Sequence, residues 1–246
     1  LSRLVITEKG KILLPDYNKE VVMGPLPKTI FLFFLKHDRE FMFTDLMDYK
    51  KEFIELLKTT NRQGIDDLVE ELEDLGFFKA PASTKFHLNE DGGLVQHSLN
   101  VCKAALSMRK SMIDLDDSLL EALPKDSVII ASLLHDTCKA DIYKPTMKKE
   151  KNRFGMWCDV PGYDVDYSNF PLGHGEKSVI VLLRSGFELT DDEIMAIRWH
   201  MNAWDLPFQS YDIKSNFNKA KEICPLLSLV QAADCLASNL LERKVE

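Results

Sequence analysis

The sequence has no CxxC pair, no internal repeat, no low-complexity tract and no apolar run longer than the six residues of Ile30–Leu35. Each absence excludes something. Five scattered cysteines (Cys102, Cys138, Cys158, Cys224 and Cys235), odd in number, read as reduced thiols of a cytoplasmic protein rather than as a disulfide frame. A six-residue apolar run is far short of the roughly 20 residues that span a bilayer, and no secretory n-region precedes it. No membrane segment is expected. The chain opens on Leu1 rather than Met, so its start is expected to lie upstream. Basic residues are also in deficit, 31 against 39 acidic, for a net charge of −8. Broad binding to duplex nucleic acid or anionic membrane needs Lys and Arg to neutralise phosphates, and this balance argues against it.

What is present is an ordinary globular composition: 246 residues, 45% hydrophobic, enough for one large domain or two small ones. Leu4–Thr7 and Ile12–Leu14, separated by a turn at Gly10, predict a short β-hairpin. Pro25 and Pro27 punctuate, and Pro27 suits the first turn of a helix through residues 29–37. Leu46, Tyr49, Phe53 and Leu57 predict a helix from Thr44 or Asp45 to about Thr59. The polar stretch Thr59–Ile65 is the expected linker. Residues 1–60 are thus expected to form a small α+β module, and 61–246 a helical bundle.

Within the bundle, Ile65–Leu75 reads as an amphipathic helix closed by Gly76, followed by a loop rich in Pro, Ser and Gly. Leu94, His97, Val101, Ala104 and Met108 then lie on one helix face. The helix predicted over Asp126–Lys139 carries the mostly apolar run Val128–Leu134, and His135 and Asp136 end that run. Residues 140–172 read as irregular, with a weak strand signal at Phe154–Val160. His174 stands between two glycines at a helix entrance, and Thr190 with Glu193 forms a capping box for a helix bearing His200. Pro225 opens a last helix with Leu227, Val230, Asp234, Ala237 and Leu241 in one stripe.

A histidine on an apolar face is, taken singly, a packed core residue. Taken together, His97, His135, Asp136, His174, His200 and Asp234 all stand on or beside apolar faces or at a helix entrance. Burying a carboxylate without a partner costs several kcal/mol, and one shared cation site would satisfy all six. Bundles build metal sites in this way, from inward side chains on facing helices.

The motifs around these residues, GGLVQHS at His97, LLHDTCK at His135 and Asp136, GHGEKS at His174, RWHMN at His200 and AADCLAS at Asp234, occur in an order that resembles the HD superfamily of metal-dependent phosphohydrolases. The resemblance covers roughly residues 77–241 and implies a mainly α fold. It implies that His97, His135, Asp136 and Asp234 hold a first metal ion. It also implies that Asp136 bridges to a second ion held by His174 and His200, and that Lys139 faces the substrate phosphate. Thr137 and Cys138 depart from the family's usual apolar residue and glycine.

Four imidazoles and two carboxylates around two divalent ions leave about two positive charges uncancelled, which favours a phosphate oxygen and a bridging hydroxide as nucleophile. The donor set suits Mn, Fe, Co, Ni or Zn better than Ca. The expected catalytic residues are Asp136 and Lys139. Lys139, Tyr143 and Lys144 are the expected substrate contacts, on a lysine-rich excursion over 139–153 that would lie across the site, with Trp157 offering a second ring for base stacking. His87 and the loop Ala80–Thr84 are placed at the rim. The expected activity is hydrolysis of a phosphoester in a nucleotide or short single-stranded oligonucleotide. A non-catalytic metal- or nucleotide-binding regulatory module is the alternative, and a purely structural bundle the third. The oligomeric state is left open.

Overall fold

The computed structural model describes residues 39–151, 154–201 and 211–243, with side chains from Tyr49 onward, and the backbone of three short strands nearer the N-terminus. The chain divides into two compact units, Leu1–Asp45 and Leu46–Glu246. In the first, β1 (Val5–Ile6), β2 (Ile12–Leu14) and β3 (Lys19–Val21) form an antiparallel meander, with Ile6 opposite Ile12 and Leu13 opposite Glu20. The β1–β2 pairing matches the expected hairpin, and β3 was not anticipated. The helix expected over residues 29–37 lies outside the described residues.

Helix α1 (Arg39–Lys58) starts earlier than its apolar spacing suggests and runs across the division. Phe53 and Leu57, near its C-terminal end, are fully buried in the core of the second unit. Phe53 packs on Phe77 and Phe78 with ring centroids 5.2 and 5.6 Å apart. The expected boundary near residue 60 therefore falls inside the second unit, and the expected linker is a pinned turn. Arg62 forks onto the buried Glu193 carboxylate at 2.7 and 3.0 Å and donates to the Glu188 carbonyl at 2.9 Å. Polar composition hid this, because the anchoring partner lies 131 residues away.

The second unit continues with α2 (Ile65–Asp74), α3 (Gly93–Leu115), the short α4 (Leu119–Ala122) and α5 (Lys125–Leu134). After α6 (Lys139–Ile142) and a hairpin come α7 (His174–Arg184), α8 (Asp191–Trp199), α9 (Tyr211–Ile223) and α10 (Pro225–Leu236). A π-helical turn over Ala237–Leu241 follows directly. The core is built by α3 against α5 and α10, both of which pack on α8, with α7 on the far side of α8. Every residue of α5 from Ser127 to Leu134 is buried. It is apolar all round because it has neighbours all round. The capping box at Thr190 and Glu193 forms as expected, as does the Pro225 start of α10. Helix α9 was not anticipated.

The segment expected to be irregular is a regular antiparallel ribbon, β4 (Tyr143–Lys151) and β5 (Trp157–Val165), paired without a break from Tyr143↔Val165 to Lys151↔Trp157. Beyond the weak signal at Phe154–Val160, which β5 overlaps, its mostly exposed strands lack the apolar alternation that marks a half-buried sheet, so periodicity did not reveal the pairing. Part of the basic charge of its first strand is paired across the ribbon. Lys148 faces Asp164 and Lys149 faces Asp159, each at 3.4 Å, so the return strand supplies the counter-charge.

Candidate metal centre

Two helices end at the centre and three cross it or begin there. His135 follows the last turn of α5, and its Nδ1 donates to the Ser132 carbonyl at 2.8 Å. His200 follows the last turn of α8 in the same way, Nδ1 donating to the Ile197 carbonyl at 2.7 Å. A ring whose Nδ1 carries the proton leaves Nε2 as a bare lone pair. His97 lies on α3 and Asp234 on α10, while His174 is the first residue of α7.

Asp136 is shared. Its Oδ2 lies 3.4 Å from His97 Nε2, 3.2 Å from His135 Nε2 and 2.6 Å from Lys139 Nζ. Its Oδ1 faces the other way, 2.6 Å from His174 Nε2 and 3.3 Å from His200 Nε2. Asp234 Oδ1 is 3.3 Å from His97 Nε2. The structure therefore brings all six expected ligands into one cluster, sorted by the two oxygens of Asp136 into a group with His97, His135 and Asp234 and a group with His174 and His200.

The electrostatics match a cation site. Burial opposes ionisation of Asp136, yet Lys139 and the facing histidines outweigh it and hold its carboxyl well below the usual range. Asp234, half-buried, is likewise held low by His97 and His135 against the opposing pull of desolvation. His97 is raised well above its ordinary value despite burial, because Asp136, Asp234 and Glu242 surround it. His200 is lowered by burial. Three nitrogens of the cluster, Nε2 of His97, His135 and His200, are buried with no hydrogen-bond partner. An unsatisfied buried polar atom costs about 1–3 kcal/mol, and three converging on carboxylates fit a metal ion. The groups His97, His135, Asp234 and His135, Asp136, His200 each have ligand atoms within 4.8 Å of one another.

Residues 94–239 match the family model described as HD domain. The chain belongs to the HD-domain family. The HD pair itself is His135–Asp136. The chain is also similar to the dihydroneopterin 2',3'-cyclic phosphate phosphodiesterase of Methanocaldococcus jannaschii, 29% identical over 151 residues, which cover 61% of this chain and 52% of that protein. The chain thus spans about half the length of the curated relative it matches. No solved structure matches it.

The remaining expected site residues are placed unevenly around the HD pair. Lys139 is buried in the cluster, its ammonium on Asp136 and its pKa raised by that carboxylate against the opposing pull of burial. Tyr143 is half-buried one helical turn further on, its phenol pushed up by burial. Lys144 is exposed, its Nζ 3.9 Å from Asp141. Trp157 does not join Tyr143. It stands at the opposite end of the ribbon, about 27 Å away at ~3.4 Å per residue, with Lys151 over its ring at 5.2 Å. Two strands of equal length place the first residue of one beside the last of the other.

Glu242 was not anticipated. It lies just past the π-helical turn, buried, and accepts from His97 Nδ1 at 3.0 Å and from Asn100 Nδ2 at 2.9 Å. A glutamate four residues from the end of the chain carries no sequence signal. Its role follows only from the turn that folds it back onto α3. His87, expected at the rim, packs its ring 5.0 Å from that of His97. It is carried there by the loop ahead of α3, which presses so closely on Gly93 that a Cβ at that residue would lie 2.0 Å from the Leu88 carbonyl oxygen.

Proposed function

We propose that the protein is a metal-dependent phosphohydrolase that cleaves a phosphodiester of a nucleotide or nucleotide-like small molecule. The observation that carries the reading is the division of the two Asp136 oxygens between two groups of histidines. Family membership and the named activity of the relative support it. His97, His135, Asp136 and Asp234 would hold one divalent transition-metal ion, and Asp136, His174 and His200 a second. Ions so held supply Lewis acidity toward a phosphoryl oxygen and lower the pKa of a water.

The chain's own residues do the positioning. The Nδ1–H donations of His135 and His200 keep each Nε2 free of a proton. Lys139 places a buried positive charge beside Asp136, where charge develops on the phosphoryl group. Tyr143 and Lys144, at the start of β4, line the approach from the ribbon side. Net acidity favours a small substrate over long nucleic acid.

The test combines elemental analysis with a substrate panel. About two metal equivalents per chain, falling to about one in His174→Ala, with turnover of 2',3'-cyclic nucleotides or dinucleotides, is the expected result. Folded protein that takes up no added Mn, Fe, Co, Ni or Zn overturns it. Full metal loading with no turnover of any phosphoester leaves a binding module instead.

A further inference from the structure

Five of the six histidines form one continuous row of rings. From His87 the centroid spacings are 5.0 Å to His97, 5.3 Å on to His135, 4.8 Å to His200 and 5.4 Å to His174. The row has two ends, and a cavity lies at each. At the His174 end a cavity of about 310 Å³ is lined by Cys138, Ile142, Tyr167, Leu172, Lys177 and Met201. Its cation is already committed, since Lys177 donates to the Asn169 carbonyl at 2.7 Å and pairs with Asp141.

The cavity at the His87 end is larger, about 530 Å³, and lined by Lys85, Phe86, His87, Ser238, Asn239, Glu242 and Arg243. That is a size suited to a small-molecule ligand. Phe86 is 73% exposed at its mouth. A single exposed phenylalanine is ordinary, but this one adjoins an imidazole whose buried Nε2 has no hydrogen-bond partner. The Glu242 carboxylate in the wall is engaged by His97 and Asn100, and Lys85 and Arg243 form no ion pair among the described residues. An aromatic face, an imidazole edge with a buried and unpartnered Nε2, and two cations without an ion pair among the described residues make a surface for a flat heterocycle bearing polar edges on an anionic ester.

Resting on the phosphodiesterase reading above, we propose that this second cavity is the recognition subsite for the heterocycle of the substrate. Phe86 stacks on the ring and His87 hydrogen-bonds to its polar edge or sugar. Lys85 and Arg243 steer the ester.

The experiment compares adenosine 2',3'-cyclic phosphate with glycerol 1,2-cyclic phosphate, which presents a similar reacting ring without a heterocycle. Stacking on an aromatic side chain predicts that Phe86→Ala lowers the ratio of kcat/KM for the nucleotide over the glycerol ester by on the order of tenfold. Tyr167→Ala, in the opposite cavity, serves as the comparison. Calorimetric titration of the full chain with adenosine 3'-monophosphate provides a second readout independent of turnover, and Phe86→Ala and Arg243→Ala should both weaken that binding. An unchanged ratio in Phe86→Ala, with the shift appearing in Tyr167→Ala, overturns the proposal while leaving the phosphodiesterase reading in place. Phe86-dependent nucleotide binding without turnover of either ester supports the subsite and removes the phosphodiesterase reading.

Discussion

Glu242 accepts the Nδ1 hydrogen bond of His97 at 3.0 Å, so the last described turn of the chain reaches back to orient a ligand on α3. Outer carboxylates of this kind fix a histidine's tautomer and raise its basicity. Glu242→Ala should weaken metal affinity by about 10- to 100-fold while leaving the helical content unchanged. Competition against a chromophoric chelator measures this. Affinity equal to wild type would show that Glu242 is a structural tether only.

Lys139 lies 2.6 Å from Asp136 Oδ2. Because a preorganised charge counts most where charge develops, Lys139→Met is expected to retain bound metal and to lose about 10²–10³-fold in kcat. Retention of wild-type kcat in a metal-loaded variant would reduce Lys139 to a counter-ion of Asp136.

Gly175 sits where α7 crosses α8. A Cβ there would lie 2.1 Å from the Arg198 carbonyl oxygen and 2.7 Å from its carbon, both backbone atoms that cannot swing aside. Gly175→Ala should therefore push apart the helices carrying His174 and His200. An overpacking cost of about 1–3 kcal/mol corresponds to a Tm lower by roughly 2–12 °C in a protein of this size. Metal stoichiometry should fall with it. A variant with unchanged Tm would mean that α7 can shift freely on α8.

Asp141 holds the buried Lys177 ammonium and accepts from Asn169 at 2.9 Å. Burial raises its pKa, but Lys177, Asn169 and Lys144 outweigh that, and the net shift is downward. A carboxylate with a depressed folded pKa contributes stability above its unfolded value of about 3.9 and loses it as pH falls through the folded value. Wild type should exceed Asp141→Asn in Tm at pH 7, and the gap should close below about pH 4. A gap that persists at pH 2–3 would show that packing, not charge, sets the difference.

Chelation should lower Tm, because an ion that binds only the folded state stabilises it by about 4 kcal/mol at a thousandfold excess over Kd. Thermal scans with and without chelator, on wild type beside Asp234→Ala, measure the shift. Equal Tm values for wild type in both conditions would argue that no ion is bound.

The candidate ligand set was legible in the sequence because each of its residues sits on or next to a strongly periodic helix. His97 lies in the α3 stripe, His135 and Asp136 at the end of a mostly apolar run, and Asp234 in the α10 stripe. Helical periodicity is local, and order along the chain is all that the family motifs need. What could not be read there was pairwise and distant. The Arg62–Glu193 fork, the acids on β5 that pair with Lys148 and Lys149, and the Glu242 carboxylate behind His97 each join residues that local windows never see together.

The sequence by itself determined the helical class, the six candidate ligands and the acidity that disfavours long nucleic acid, since composition and 3.6-residue spacing are properties of short stretches of chain. Only the tertiary structure decided which oxygen of Asp136 faces which histidines, that Trp157 stands a ribbon's length from Tyr143, and that a row of five imidazoles ends in a cavity on either side. Those relations are set by helix crossings and strand register. Both depend on side-chain packing between segments far apart in sequence.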